Sequence, residues 1–225
     1  MALVVFTPSC EDARGPVAPR FSAIAWPHEP TGFVTLSDYG FDDPFATGNA
    51  VPLGDGWTLY NPNGYATQVT DSGAPLSPPN VGQWSYPVGF VGGDAPAVMY
   101  RDLNGSRREM YFGYDWKASN PWEGHPTGVN EISFVIAQDN ILVLEMNGAP
   151  GGPYHLFRMS TTSTSRDGIV RWWVNGTLVG DYSTVNFDVA HAFDEFHFSP
   201  TWGGIGSSKT EEDYFWYDHV RLSVP

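Results

Sequence analysis

The stretch from Asn104 to Lys117 carries the densest run of side chains able to bind and move charge. If it is extended, successive side chains alternate between faces. Arg107, Glu109, Tyr111, Gly113, Asp115 and Lys117 then share one face, and Arg108, Met110, Phe112, Tyr114 and Trp116 the other. The second set is an apolar face suited to a core. The first is a row of cation, carboxylate and phenol that could hold an anionic group, accept hydrogen bonds from hydroxyls and exchange a proton. Gly113 in that row would let a ligand approach the backbone at the floor of a groove. A solvated face with cross-strand ion pairs explains the same pattern and competes with this reading.

Two histidines extend the set. His125 lies between Trp122 and Asn130 in a Gly/Pro-containing loop that leads into a strand, where functional side chains concentrate. In Phe193-Asp194-Glu195-Phe196-His197-Phe198, alternation sends Phe196 and Phe198 to the core and Glu195 and His197 to the opposite face. His28 and His191 read as surface residues. Aromatic side chains offer a different activity, because indole and phenol faces stack on the C–H faces of sugar rings. Trp122, Trp172, Trp173, Trp202 and Tyr154 are the candidates, and Trp202, flanked by Pro200 and Gly203-Gly204, is the one best placed for exposure. Trp57, Trp84 and Trp116 read as core. Asp218 shares parity with Trp216, Val220 and Leu222, which puts a carboxylate on a core-like face. A buried charge needs a cation or several donors. A Ca²⁺ ion shared with Asp38, Asp42 or Asp43 would serve, and so would a β-bulge that turns Asp218 outward.

The elements that must hold these residues are short. Gly 25 and Pro 19 in 225 residues leave no room for long helices, and no segment shows ten residues of helical periodicity. About eleven β-branched and aromatic segments of strand length, separated by turn residues, imply an all-β, two-sheet antiparallel sandwich or jelly roll. The sharpest local signal is Asn175-Gly176 between two apolar runs, which specifies a two-residue type I′ hairpin. Residues 61–82 and 160–168 read as long polar loops. With 41% hydrophobic residues and 34 aromatics among them (Trp 9, Tyr 11, Phe 14), the chain can bury a large core.

A formal charge of -14, with only Lys117 and Lys209 as lysines, makes nucleic acid an unfavourable partner. A single cysteine, Cys10, excludes an internal disulfide framework and any multi-cysteine metal cluster. No apolar run is long enough to span a bilayer. The first residues run from an apolar Ala2–Phe6 stretch into Cys10, like the end of an export signal. Residues 1–20 are therefore expected to be a flexible leader or an export-signal remnant, and 21–225 a single domain that is secreted or held at a bacterial-type cell surface as a monomer.

Arg107-Arg108-Glu109-Met110-Tyr111 is similar to the Arg-x-Glu-x-Arg strand of jelly-roll polysaccharide lyases of the alginate-lyase type, with Tyr111 in place of the second arginine. The closing strand Tyr217-Asp218-His219-Val220-Arg221-Leu222 resembles the last strand of laminarinase-type glycoside hydrolases, which share the concanavalin-like sandwich. The paired carboxylates of those hydrolases have no counterpart here, and neither do the Gln-x-His and Tyr-x-Lys-Ala-Gly signatures of alginate lyases. The resemblance implies a concanavalin-like jelly roll, a structural calcium at Asp218, and β-elimination on a uronic-acid polymer. That reaction needs a group to neutralise the uronate carboxylate, a base for the C5 proton and an acid for the leaving oxygen. The expected set is Arg107 and Asn130 on the carboxylate, His125 or His197 as base, and Tyr111 or Tyr217 as acid. Glu109, Trp122, Tyr154, Arg158 and Trp202 would bind the chain. For an acidic polymer, Arg107, Arg108, Arg158 and Arg171 must focus positive potential in the groove. The alternative is a non-catalytic carbohydrate-binding module that holds glycan through Trp202.

Overall fold

The computed structural model describes residues 26–137, 140–147, 155–161, 168–185 and 192–225. The expected leader at 1–20, Tyr154 and residues 162–167 of the polar loop lie outside these. The strands are β1 (Val34–Tyr39), β2 (Gly48–Pro52), β3 (Trp57–Asn61), β4 (Ala66–Thr70), β5 (Asn80–Tyr86), β6 (Val98–Arg107) and β7 (Tyr111–Ala118). They continue with β8 (Val129–Ile136), β9 (Asn140–Asn147), β10 (His155–Thr161), β11 (Gly168–Val174), β12 (Thr177–Val185), β13 (Phe193–Phe198) and β14 (Asp213–Val224). The described helical content is one 3₁₀ turn, Gly54–Gly56. All pairings among the described strands are antiparallel, as the sequence implies. Residues 61–82 are not one loop, because β4 and the start of β5 form an antiparallel pair inside them.

One sheet has seven strands in the order β10-β9-β8-β13-β6-β3-β2. The other is built on β14, the longest strand, with β7 along one side and β1 and β5 end to end along the other; β4 extends it beyond β5. The hairpin β11–β12 forms a separate two-stranded sheet. Its turn residues Asn175 and Gly176 both have positive φ, 50° and 74°, as a type I′ turn requires.

The core lies between the two large sheets and is mostly aromatic. Trp57, Leu59, Met99, Phe196 and Phe198 come from the seven-stranded sheet, and Trp84, Phe215, Tyr217, Val220 and Leu222 from the five-stranded one. Trp57 stacks on Phe198 at 5.9 Å, and Trp84 meets Tyr217 edge-on at 4.9 Å. Burying a ring of this size removes roughly 150–250 Å² from water, about 4–6 kcal/mol of gross stabilisation before entropy is subtracted. Trp57 and Trp84 are fully buried, and Trp116 packs partly buried against the same cluster, as expected.

Parity along β14 changes midway. Asp213, Phe215 and Tyr217 point inward, and so do Val220, Leu222 and Val224, because a bulge between Asp218 and Val220 inserts one residue. His219 takes φ 53° there. The bulge keeps every large apolar residue of the strand in the core and leaves Asp218, His219 and Arg221 outside it.

Candidate functional site

The structure disperses the expected Arg107/Glu109/Tyr111 row. Arg108–Met110 is a break, not strand, and the chain crosses there from β6 in the seven-stranded sheet to β7 in the other. Arg107 folds back on its own turn, donating to the carbonyls of Leu103 at 3.0 Å and Asn104 at 3.0 Å. Glu109 is exposed in the break. Tyr111 donates to the Pro27 carbonyl at 2.9 Å, and burial with the nearby Glu29 pushes its phenol up to about 12. Gly113 admits no ligand: Trp26 covers it so closely that a Cβ there would lie 2.9 Å from the indole. The alternation within β7 is as read, with Phe112, Tyr114, Trp116 and Ala118 against the core. Its polar face lies on the outer side of the five-stranded sheet, where Arg221 pairs with Glu29 at 3.1 Å and with Asp38 at 3.0 Å, and His219 is bonded to Asp38.

His125, Asn130, Trp122 and Trp202 do come together, as a knot inside the protein and not as a groove. His125 is buried, its ring 4.6 Å from Trp202. Its Nδ1 accepts the Thr127 N–H at 3.1 Å and faces the Thr127 hydroxyl at 2.8 Å. Gly92 and Gly204 leave it room: a Cβ on either would come within 2.5 Å of the imidazole. Burial lowers its pKa, so it is a neutral packing residue. Asn130, fully buried, accepts the His125 N–H at 3.1 Å and donates to the Met146 carbonyl at 3.4 Å. Trp202, expected to be exposed, is 1% exposed and donates to the Glu123 carbonyl at 2.8 Å. Trp122 stacks on Phe215 at 4.3 Å. The sequence missed the centre of this knot: Lys209, fully buried, lies 4.3 Å from the Trp122 ring, 5.0 Å from Trp202 and 5.7 Å from Tyr86, and forms a 2.5 Å ion pair with Asp213. Glu123, Glu211 and Asp213 are close enough together to hold a cation. The Lys209 ammonium is the cation bonded to Asp213 there, and Glu123 is engaged by Thr210 and Glu211.

Tyr217, an expected acid, is buried in the core, where its hydroxyl donates across to the Ile132 carbonyl at 2.9 Å, and burial raises its pKa far beyond use near neutrality. Asp218 is buried under the loop before β5. It accepts the Leu76 N–H at 2.6 Å, the Ser77 N–H at 3.0 Å and the Ser77 hydroxyl at 2.6 Å. Asp38, Asp42 and Asp43 are engaged elsewhere, by His219 and Arg221, by Asn80 and by the Gly54 N–H respectively. With both oxygens of Asp218 taken by donors, the residues present do not fit a calcium ion, and the bulge accounts for the carboxylate's position.

The remaining candidate, His197, faces outward from the seven-stranded sheet, as alternation implies. It alternates with buried Phe196 and Phe198, and on β6 Tyr100 and Asp102 alternate with buried Met99, Arg101 and Leu103. Strand register sets one cross-strand row over six strands: Arg158 opposite Val143, Val143 opposite Phe134, Phe134 opposite His197, His197 opposite Tyr100, and Tyr100 opposite Thr58. His197 Nε2 lies 2.7 Å from a Glu195 carboxylate oxygen, and the Tyr100 ring is centred 5.6 Å from the imidazole. The next row holds Asp102, Glu195, Ile136 and Ile141, and Glu131 faces Glu145 on the other side. A base with its carboxylate partner and a neighbouring phenol can take a proton from one atom and give one to another across a bound chain. Tyr100 was missed, although the alternation Met99/Tyr100/Arg101/Asp102/Leu103 carries the signal. A buried arginine in the inward set disguises it.

Two antiparallel sheets stacked on an aromatic core, with His197, Glu195 and Tyr100 on the outer face of the larger one, define an all-β sandwich. Among solved structures the chain is similar to alginate lyase Aly36B, with TM-score 0.56 and 11% identity over 82% of this chain and 95% of that one. It is also similar to a doubly substituted form of that lyase in complex with an alginate trisaccharide, with TM-score 0.58 and 13% identity over 84% of this chain and 97% of that one. No family model and no curated protein matches the chain. Among the described residues, no helix is long and apolar enough to cross a membrane.

Proposed function

We propose that the protein is a polysaccharide lyase that cleaves a uronic-acid-containing glycan by β-elimination on the outer face of the seven-stranded sheet, acting on polymer outside the cytoplasm. The observation that carries this reading is the His197/Glu195 pair beside Tyr100 on the outer face of that sheet. With Nε2–H donated to Glu195, the Nδ1 lone pair of His197 is the base. It takes the C5 proton, the C4–O bond breaks, and the Tyr100 hydroxyl gives its proton to the leaving oxygen, so a C4=C5 double bond forms with no further reactant. Glu195 orients the imidazole and stabilises the imidazolium. Arg158 is three ladder steps from His197, about 14 Å at 4.8 Å per step, and serves a neighbouring sugar. The decisive experiment is a screen for ultraviolet-absorbing unsaturated products over polyuronates and glycosaminoglycans. Product is expected with the wild-type protein and not with His197→Ala; no product from any polymer ends the proposal.

The aromatic side chains of the same face, Tyr60 exposed at its edge with Tyr100 and Phe134 within it, favour glycan retention without cleavage as a second reading. It predicts retention on glycan that Tyr60→Ala weakens while His197→Ala has no effect.

A further inference from the structure

Resting on the lyase reading above, we infer that the uronate taken at His197 is carboxyl-esterified, so that the site selects polymer of low charge density over a fully ionised polyuronate.

The location of the cations carries this. Among the described residues, none of them is placed beside His197: Arg158 stands at the far end of the row, three ladder steps away, about 14 Å at 4.8 Å per step, and the others lie off the row. Arg101 points into the sandwich and donates to the carbonyls of Leu36, Asp55 and Asp102. Arg107 is tied to its turn, and Arg108 follows it in the break. Arg107 stands opposite Phe193, four residues along β13 from His197, roughly 13 Å at 3.3 Å per residue. Lys117 pairs with Asp71 and Arg221 with Glu29 and Asp38, all on the other sheet. Arg171 pairs with Asp181 within the β11–β12 hairpin, and Lys209 is buried with Asp213.

The side chains flanking His197 are instead acidic, with Glu195 at 2.7 Å and Asp102 opposite Glu195 in the next row. Removing the C5 proton from a free uronate builds a second negative charge next to the carboxylate, and the transition state then needs a cation at that carboxylate. Removing it from an ester builds one, which a hydrogen-bond donor can stabilise. The ester also removes the repulsion that a chain with one charge per sugar would meet from Asp102, Glu195 and a protein of net charge -14.

The test compares one polyuronate with its half methyl-esterified form at equal chain length, by retardation in polymer-containing native gels and by the rate of unsaturated product release. The esterified polymer is expected to be retained and cleaved at least tenfold better. Retention of the ionised polymer should increase from about 20 to 200 mM salt as repulsion is screened. Asp102→Asn should narrow the preference about threefold. Tighter binding of the ionised polymer, falling with salt, overturns the inference, and so does equal treatment of the two or retention of neither. Preferential retention of the ester with no unsaturated product from either polymer would end the lyase reading and leave the selectivity standing.

Discussion

Lys209 and Asp213 meet at 2.5 Å with both side chains shut off from water, the ammonium capped by the rings of Trp122, Trp202 and Tyr86. The pair ties the loop before β14 to the Trp122–Asn130 loop, because Asp213 also accepts the Ser119 hydroxyl and the Glu123 N–H, and Lys209 donates to the Glu123 carbonyl. Burial alone would drive the lysine towards its neutral form, and the hydrogen bond and charge of Asp213 oppose that.

Lys209→Met is therefore expected to cost about 3–5 kcal/mol in urea unfolding, since it strands a buried carboxylate. Adding Asp213→Asn should recover more than half of that loss, because the second change removes the stranded charge. A single variant within 1 kcal/mol of wild type, where the ~3 kcal/mol minimum is expected, would show that the cage is not a structural tie.

The same knot makes stability depend on pH. Burial lowers the pKa of His125, and hydrogen bonds from Thr210 and Glu211 hold Glu123 below its ordinary value against the opposing effect of burial. In both cases the unfolded chain binds the proton first, so the stabilisation is complete above the unfolded pKa and is lost as pH falls. His125 contributes first, below about pH 6.5, and Glu123 below about 4.5. Melting temperature should drop between pH 7.5 and 5.5, and His125→Gln should flatten that step; an equal drop in the variant would assign it to another group.

At Asp218, Asp218→Asn places an amide against the Leu76 and Ser77 N–H donors and should cost roughly 2–3 kcal/mol. Excess chelator should leave the wild-type melting curve unchanged. A fall of several degrees on chelation, reversed by calcium, would show that a metal contributes where the donor set has no place for it.

Much of the sandwich was legible because it follows from local rules. The alternation of β7 and β13 puts Phe112, Tyr114, Phe196 and Phe198 in the core, and Asn175-Gly176 makes the hairpin. What failed depended on contacts distant in sequence. Arg107 to Tyr111 keep a strand pattern through the point where the chain leaves one sheet for the other, since alternation does not register a change of sheet. Trp202 has the Pro and Gly neighbours of an exposed loop, yet that loop closes over the end of the sandwich onto a lysine seven residues later. For Asp218, parity alone leaves a core-like face and an outward-turning bulge as alternatives, and only the pairing of β14 with β7 decides for the bulge. His197 was placed on the correct face, but its partner Tyr100 lies on a strand almost a hundred residues away.

Two tyrosines separate the core from the site. The Tyr217 hydroxyl is buried on the Ile132 carbonyl, so Tyr217→Phe leaves that acceptor unpaired and should cost roughly 1–3 kcal/mol without touching the outer face. Tyr100 is only partly buried, next to His197, so Tyr100→Phe should leave the melting temperature within a degree or two while lowering turnover about 10²-fold or more through loss of the proton donor. Differential scanning calorimetry and product release, measured on both variants, decide it. If Tyr217→Phe is the change that abolishes turnover at unchanged stability, the chemistry does not occur on the outer face of the seven-stranded sheet, and the row through His197 is not the site.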